Sequence, residues 1–433
     1  THSSVWADSK NVKDCPRGRL YRFRNTVDSG GRITGKKESP MDFTAIKEKA
    51  DGALMPTYGR FSTALEKGSG AVVSDSEGRT LIDFGSGIGV NSLGFGDPEW
   101  AAAVSEQAAR LPHISNLYFN ETQALFAEEL CAAAGMSRTF LCNSGAEANE
   151  CAIKLARKYA ADKGTKKPMI VTLRNSFHGR TLVTLEATGQ DAFHTDFGPF
   201  TGGFVYVPAE DGAALEKALE DGACAVLLEC VQGEGGVMPL SPAYLQLARR
   251  LCDEHGALLM VDEVQTGAGR TGRFLACEHA GIRPDVVTMA KGLGGGLPIG
   301  ACLCTEALGT VMSAGKHGST FGGNPVVCAG GRVVLSKVTA PGFLDEVSRK
   351  GEKIRVRLQS MPGVRSVRGL GMMLGIELEK GDARLTAERC LENGLLVLTA
   401  KTLIRLLPPL TITDGELERG LDILEKVMAE QAQ

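Results

Sequence analysis

The chain has 433 residues, 43% of them apolar and 23% charged, with a formal net charge of −3. That length exceeds the ~250–300 residues at which single cores stop growing, so more than one packed unit is expected. The near-neutral balance offers no electrostatic footprint for nucleic acid, and no apolar run reaches the ~18–20 residues of a membrane span, so a soluble protein is expected.

The first 45 residues are polar and weakly periodic. Arg17, Arg19, Arg22 and Arg24 are interleaved with Asp8, Asp14 and Asp28, which dilutes any organelle-targeting pattern. The composition predicts a poorly ordered arm. Within it, Gly30…Gly35-Lys36 has the spacing of a phosphate-binding P-loop, but Lys37 stands where Ser or Thr would bind magnesium, and no strand precedes it. Gly85-Ser86-Gly87-Ile88-Gly89 resembles part of a dinucleotide loop, yet its third glycine is misplaced. Neither segment supports a nucleotide site.

From about 138 to 305, short apolar runs alternate with amphipathic stretches. Strands are predicted at 139–142, 169–173, 204–207, 225–229, 258–262 and 286–290, with helices such as 147–161 and 242–255 between them. Near-continuous apolar strands separated by helices indicate an α/β unit with a mostly parallel sheet covered on both faces. After 340 a smaller α+β unit is predicted. It has helices at 343–361 and 382–393, and strands at 372–378, 395–399 and 403–407. A final helix is announced by Thr413…Glu416, a capping-box spacing, with Leu417, Leu421, Leu424 and Met428 on one face.

Three of the predicted strands end on chemistry: Glu229, Asp262 and Lys291. In parallel sheets, ligands sit beyond the carboxyl ends of the strands, so these groups are expected to meet at one rim. A buried Asp262 needs a cation or donor. A pyridinium nitrogen would serve, and so would Arg270 or Arg273 as a structural partner. Lys291 follows a small apolar run and precedes Gly292-Leu293-Gly294-Gly295-Gly296. Desolvation there would make its neutral amine a nucleophile and proton carrier; a surface lysine opening a loop is the alternative. Asn143-Ser144-Gly145-Ala146-Glu147, between a strand and a helix, is either a phosphate cup or a tight turn. Twelve scattered cysteines without a Cys-x-x-Cys read as free thiols of a reducing compartment. Seven histidines show no metal-ligand spacing, so no metal is expected.

Five ordered stretches carry a further signal: SGAEANECAIKLAR at 144–157, SFHGRT at 176–181, ECVQGEGGV at 229–237, VDEVQTGAGRTG at 261–272 and STFGGNP at 319–325. Together they make the chain, from about residue 50 onward, resemble the class III aminotransferases of fold type I. That resemblance implies a pyridoxal-phosphate enzyme with a large domain built on a seven-stranded sheet. The expected boundaries are an arm at 1–45, the first part of a small domain at 46–100, the large domain at 101–338 and the rest of the small domain at 339–433. It further implies that Lys291 holds the cofactor as a Schiff base and moves the proton, while Asp262 pairs with the ring nitrogen. Gln265 would bond the ring's phenolic oxygen, Phe177 and Val264 would cover its faces, and Ser144, Gly145 and Ala146 would hold its phosphate. Glu229 and Glu263 are expected around the cofactor. Thr320 would reach the phosphate of a neighbouring subunit, implying a homodimer.

Within the class the chain is most similar to the acetylornithine branch. Arg180 would grip the donor's α-carboxylate, Arg405 the carboxylate of 2-oxoglutarate or glutamate, and Glu234 would neutralise Arg405 when an uncharged chain occupies the pocket. Tyr58 and Ser319 are further expected substrate contacts, and Ile88 stands where ornithine-using members are expected to carry a tyrosine. Gly94-Phe95-Gly96-Asp97-Pro98 departs from the usual Gly-His-x-His-Pro and resembles eukaryotic members. The compartment therefore stays open between cytoplasm and an organelle such as the mitochondrial matrix or plastid. The expected donor is N2-acetylornithine; ornithine, succinylornithine, 4-aminobutyrate or an aminomutase substrate are alternatives, and an inactive homologue or nucleotide-binding module is the reading from another class.

Overall fold

The computed structural model describes residues 26–27, 33–34 and 41–432. Most of the predicted N-terminal arm and the P-loop-like segment therefore lie outside the described residues. Two units are distinguished, Thr1–Leu54 and Met55–Gln433. In the first, Thr26–Val27 pairs antiparallel with Ile33–Thr34. Its helix, Phe43–Ala53, starts where the Asp42 side chain accepts the Ala45 N–H at 2.8 Å.

The second unit is organised around a seven-stranded sheet. Its strands in chain order are β1 (Arg138–Cys142), β2 (Met169–Leu173), β3 (Phe204–Val207), β4 (Ala223–Leu228), β5 (Leu258–Asp262), β6 (Val286–Met289) and β7 (Gly300–Cys304). Across the sheet they run β1-β7-β6-β5-β4-β2-β3. β2 to β6 pair in parallel. β7 is antiparallel to both neighbours. Val286, Leu227, Leu259 and Met260 are buried, as expected for strands covered on both faces. Helices Gly145–Asp162 and Pro242–His255 follow β1 and β4 respectively, and each buries an Ala-, Leu- and Cys-rich stripe.

The six predicted strands match β1 to β6 within two residues at each end. β7 was not anticipated from residue pattern. Its run Gly300-Ala301-Cys302-Leu303-Cys304 begins with small residues, which carry little strand propensity. It is held by pairing on both edges.

Beyond 340, helix Phe343–Gln359 precedes a four-stranded sheet of Val364–Leu370, Met373–Leu378, Leu403–Leu406 and Leu398–Ala400. A further sheet joins Leu65–Ser69, Val72–Asp75 and Thr80–Asp83, with C-terminal Leu395–Leu396 running parallel to Thr80–Asp83. The last helix, Asp414–Ala432, buries Leu417, Leu421, Leu424 and Met428. Its capping box is formed: Glu416 N–H donates to Thr413 Oγ1 at 3.2 Å, and Thr413 N–H donates to Glu416 Oε2 at 2.9 Å. Thr413→Ala is expected to cost about 1 kcal/mol, read as a lower urea midpoint at unchanged slope. Since each buried leucine contributes ~1.5–3 kcal/mol, the helix should persist; a variant with reduced helix content would contradict this weighting.

Among the described residues no helix is long and apolar enough to cross a membrane. The described cysteines are all free.

Candidate active site

The carboxyl ends of β4, β5 and β6 open onto one cavity of 630 Å³. Glu229, Asp262 and Lys291 all line it, so the three strand-end groups do meet at one rim. Ser144, Gly145, Ala146, Phe177, Val264, Gln265, Arg180 and Tyr58 line it as well.

At one end of the cavity, helix Gly145–Asp162 begins. Ser144 caps it by accepting the Glu147 N–H, and Ala148 N–H bonds Ser144 O. The Gly145 and Ala146 N–H groups are thus the orphan donors of the first turn. A Cβ at Gly145 would come within 2.6 Å of Val264 Cγ1, so only glycine lets Val264 lie against the helix start. This geometry suits a phosphate, drawn by free N–H groups and the positive end of the helix.

Asp262 is buried at the centre. Its Oδ2 accepts Asn149 Nδ2 at 2.7 Å and His178 Nδ1 at 2.8 Å; Oδ1 accepts the Val264 N–H at 3.0 Å. Among the described residues neither arginine pairs with Asp262: Arg270 donates instead to Met372 O and Pro408 O, and Arg273 is exposed. Glu229 is also buried; burial, then repulsion from Asp262, raises its carboxyl well above the usual range. It accepts the Phe177 N–H at 2.9 Å and thereby fixes the backbone beneath that ring.

Lys291 has a φ of 44°, in the left-handed region that a lysine rarely adopts. Its amine makes no hydrogen bond to any described residue. Enclosure by the strand ends lowers its pKa, against the raising influence of Glu234, Asp262 and Glu229. A strained, desolvated amine facing a buried carboxylate is the arrangement of a poised nucleophile.

Arg405, buried on Leu403–Leu406, donates to Glu234 Oε1 at 2.6 Å and to Gln265 Oε1 at 3.2 Å, while Gln265 Nε2 donates back to Glu234. Burial alone would push the Glu234 carboxyl up. The Arg405 guanidinium, with Lys291 and the Gln265 amide, outweighs it and holds the group below its ordinary value. Arg180 is exposed, its guanidinium 4.3 Å from the Phe193 ring centroid and 5.6 Å from that of Phe177.

Other expected residues are placed elsewhere. The Glu263 carboxylate accepts from the Thr266 hydroxyl and, at 2.9 Å, from the Cys277 N–H, turned away from the cavity lining. The alternation of a strand end explains this, since neighbours of an inward Asp262 point outward. Thr320 is exposed and outside the cavity, while Ser319 Oγ accepts from Asn143 Nδ2 at 3.1 Å. Ile88 is exposed with a φ of 64°, and its neighbour Val90 lines the cavity. Residue reading missed Asn149 and Thr288. A signal existed for Asn149, a polar residue on a helix stripe of Ala148, Cys151, Ala152 and Ala156.

The residues fit pyridoxal phosphate: orphan N–H groups for the phosphate, Phe177 and Val264 for the ring, a buried carboxylate with a free lone-pair direction, and an unbonded amine. Residues 54–428 match the family model "Aminotransferase class-III". The chain is 50% identical over 388 residues to an acetylornithine aminotransferase of Haemophilus ducreyi, covering 89% of this chain and 98% of that protein. It is 44% identical to a succinylornithine transaminase/acetylornithine aminotransferase of Pseudomonas aeruginosa, covering 88% and 96%. Among solved structures, an ornithine aminotransferase from Toxoplasma gondii matches with a TM-score of 0.87 at 32% identity, covering 90% of this chain and 94% of that one. An N-acetylornithine aminotransferase from Stenotrophomonas maltophilia matches at 0.77 and 39%, covering 89% and 98%. Sheet, strand-end lysine and carboxylates, and these likenesses agree: the chain belongs to the class III aminotransferases, pyridoxal-phosphate-dependent enzymes of fold type I.

Proposed function

We propose that this enzyme transfers the δ-amino group of N2-acetylornithine to 2-oxoglutarate, releasing N-acetylglutamate 5-semialdehyde and glutamate. The observation that carries this reading is the Arg405–Glu234 ion pair at 2.6 Å, joined through Gln265 to the lysine cavity. One pocket must take an uncharged chain in one half-reaction and a carboxylate in the next. A buried guanidinium with a removable counter-charge meets both demands. The acetylornithine aminotransferases among the relatives support the donor.

When bound, pyridoxal phosphate supplies a carbon that exchanges amino groups and a ring that withdraws electrons. Lys291 Nζ would hold the cofactor, and would take and return the proton of the carbon bearing the transferred nitrogen. Asp262 would pair with the ring nitrogen, Phe177 and Val264 would cover the ring, Gln265 would bond its phenolic oxygen, and Ser144, Gly145 and Ala146 would hold the phosphate. Arg180 and Tyr58, exposed at the cavity mouth, receive the donor's carboxylate end. Thr320 serves a neighbouring subunit in a homodimer, a reading supported by the exposed Leu117, Tyr118, Phe119 and Phe321, and Ser319 serves as a substrate contact. The domain proposed to carry the cofactor is 101–338. Free thiols support a reducing intracellular compartment.

A panel of ω-amines with 2-oxoglutarate tests the donor. Ile88 offers no acceptor for a free α-ammonium, whose desolvation would be uncompensated, so kcat/KM for acetylornithine should exceed that for ornithine by at least about tenfold. Equal or faster turnover of ornithine or 4-aminobutyrate would refute the assignment.

A further inference from the structure

Resting on the assignment of Asp262 to the cofactor's ring nitrogen, we propose that His178, Asn149 and Thr288 are positioning residues. They occupy one oxygen of Asp262 so that the other faces that nitrogen. Oδ2 is engaged twice, by Asn149 Nδ2 at 2.7 Å and His178 Nδ1 at 2.8 Å. Among the described residues, Oδ1 accepts only the Val264 backbone N–H, at 3.0 Å. A carboxylate oxygen has two lone-pair directions, so Oδ2 is filled and Oδ1 has room for one more donor.

Each partner is itself held. The Asn149 amide oxygen accepts the Thr288 hydroxyl at 2.7 Å, and its nitrogen also donates to His178 O at 2.8 Å. A flipped amide would set its oxygen against a carboxylate and a carbonyl, two acceptors, so this orientation is the one that satisfies the array. His178 Nδ1 must carry the proton, because the carboxylate only accepts. The other ring nitrogen, Nε2, is buried and makes no hydrogen bond among the described residues. Packing alone does not call for a nitrogen there. Nδ1 is the atom whose bond offsets the burial of this ring.

Two substitutions separate orientation from bulk, since an asparagine nitrogen falls near Nδ1 and a glutamine nitrogen near Nε2. By absorbance titration with pyridoxal phosphate, His178→Asn should stay within about threefold of the parent dissociation constant, while His178→Gln weakens it roughly 10- to 100-fold. In His178→Gln, kcat should fall while the donor KM stays unchanged. Thr288→Val removes a hydroxyl outside the cavity lining and should weaken cofactor binding in the same sense by a smaller factor. Parent-like binding by His178→Gln, or equal losses in both histidine variants, would overturn the proposal. If His178→Gln does not fold, unchanged binding by Thr288→Val does so. Asp262→Ala, titrated alongside, separates the two levels. If it binds like the parent, the ring-nitrogen assignment itself fails. If it weakens while His178→Gln does not, only the positioning role fails.

Discussion

Lys291→Ala is expected to abolish amino-group exchange, lowering kcat by at least on the order of 10³-fold. The amine sits beyond β6, next to two buried carboxylates, with no hydrogen bond to a described residue. Enclosure lowers its pKa, which raises the fraction of neutral amine, the form able to attack a carbonyl carbon and to accept a proton. No other described amine lines the cavity, so nothing replaces it. The Gly145–Ala146 N–H groups remain, and the variant should still take up pyridoxal phosphate, but without a covalent bond. Borohydride treatment followed by mass spectrometry separates the cases. The parent should retain the cofactor's mass on the peptide bearing Lys291, and the variant should not. Turnover within tenfold of the parent would refute both roles given to this lysine.

Arg405→Ala is expected to split the two half-reactions. With 2-oxoglutarate, single-turnover kcat/KM should fall by about 10²–10³-fold, the loss that follows removal of one partner from a buried charge pair. The half-reaction with acetylornithine should change far less, since its chain in that pocket is uncharged. Equal losses in both would show that Arg405 supports the fold rather than the keto acid. The same variant predicts a pH effect. In the parent, the Glu234 carboxyl is held below its ordinary value. The pair's contribution to stability is therefore complete above the ordinary glutamate pKa of about 4.3 and lost as pH falls through the lowered folded value. Without Arg405, burial should raise the Glu234 carboxyl above its ordinary value, so the variant is penalised most near neutral pH and the penalty is relieved as Glu234 protonates on acidification. Melting temperatures from about pH 7 to about pH 3 should show the gap between variant and parent narrowing as pH falls, and a widening gap would refute it.

Local signals determined much of this molecule. The apolar runs ending in Glu229, Asp262 and Lys291 are legible because a strand covered on both faces must be continuously hydrophobic, and a charge at its end is conspicuous. The Thr413–Glu416 capping box is likewise local, spelled by residues three apart. Gly300–Cys304 was not legible as a strand, because its small residues become one through pairing with β6 and with β1, the latter more than 150 positions away in sequence. The resemblance implies Glu263 at the cofactor, yet side chains alternate at a strand end and its carboxylate turns to Thr266 and Cys277. The contacts that engage Asp262 join helix Gly145–Asp162, the turn at His178 and the strand Val286–Met289. Chain order says which groups stand at each strand end. Which oxygen of Asp262 is left open is decided by long-range packing, because hydrogen-bond geometry depends on where three separate elements converge.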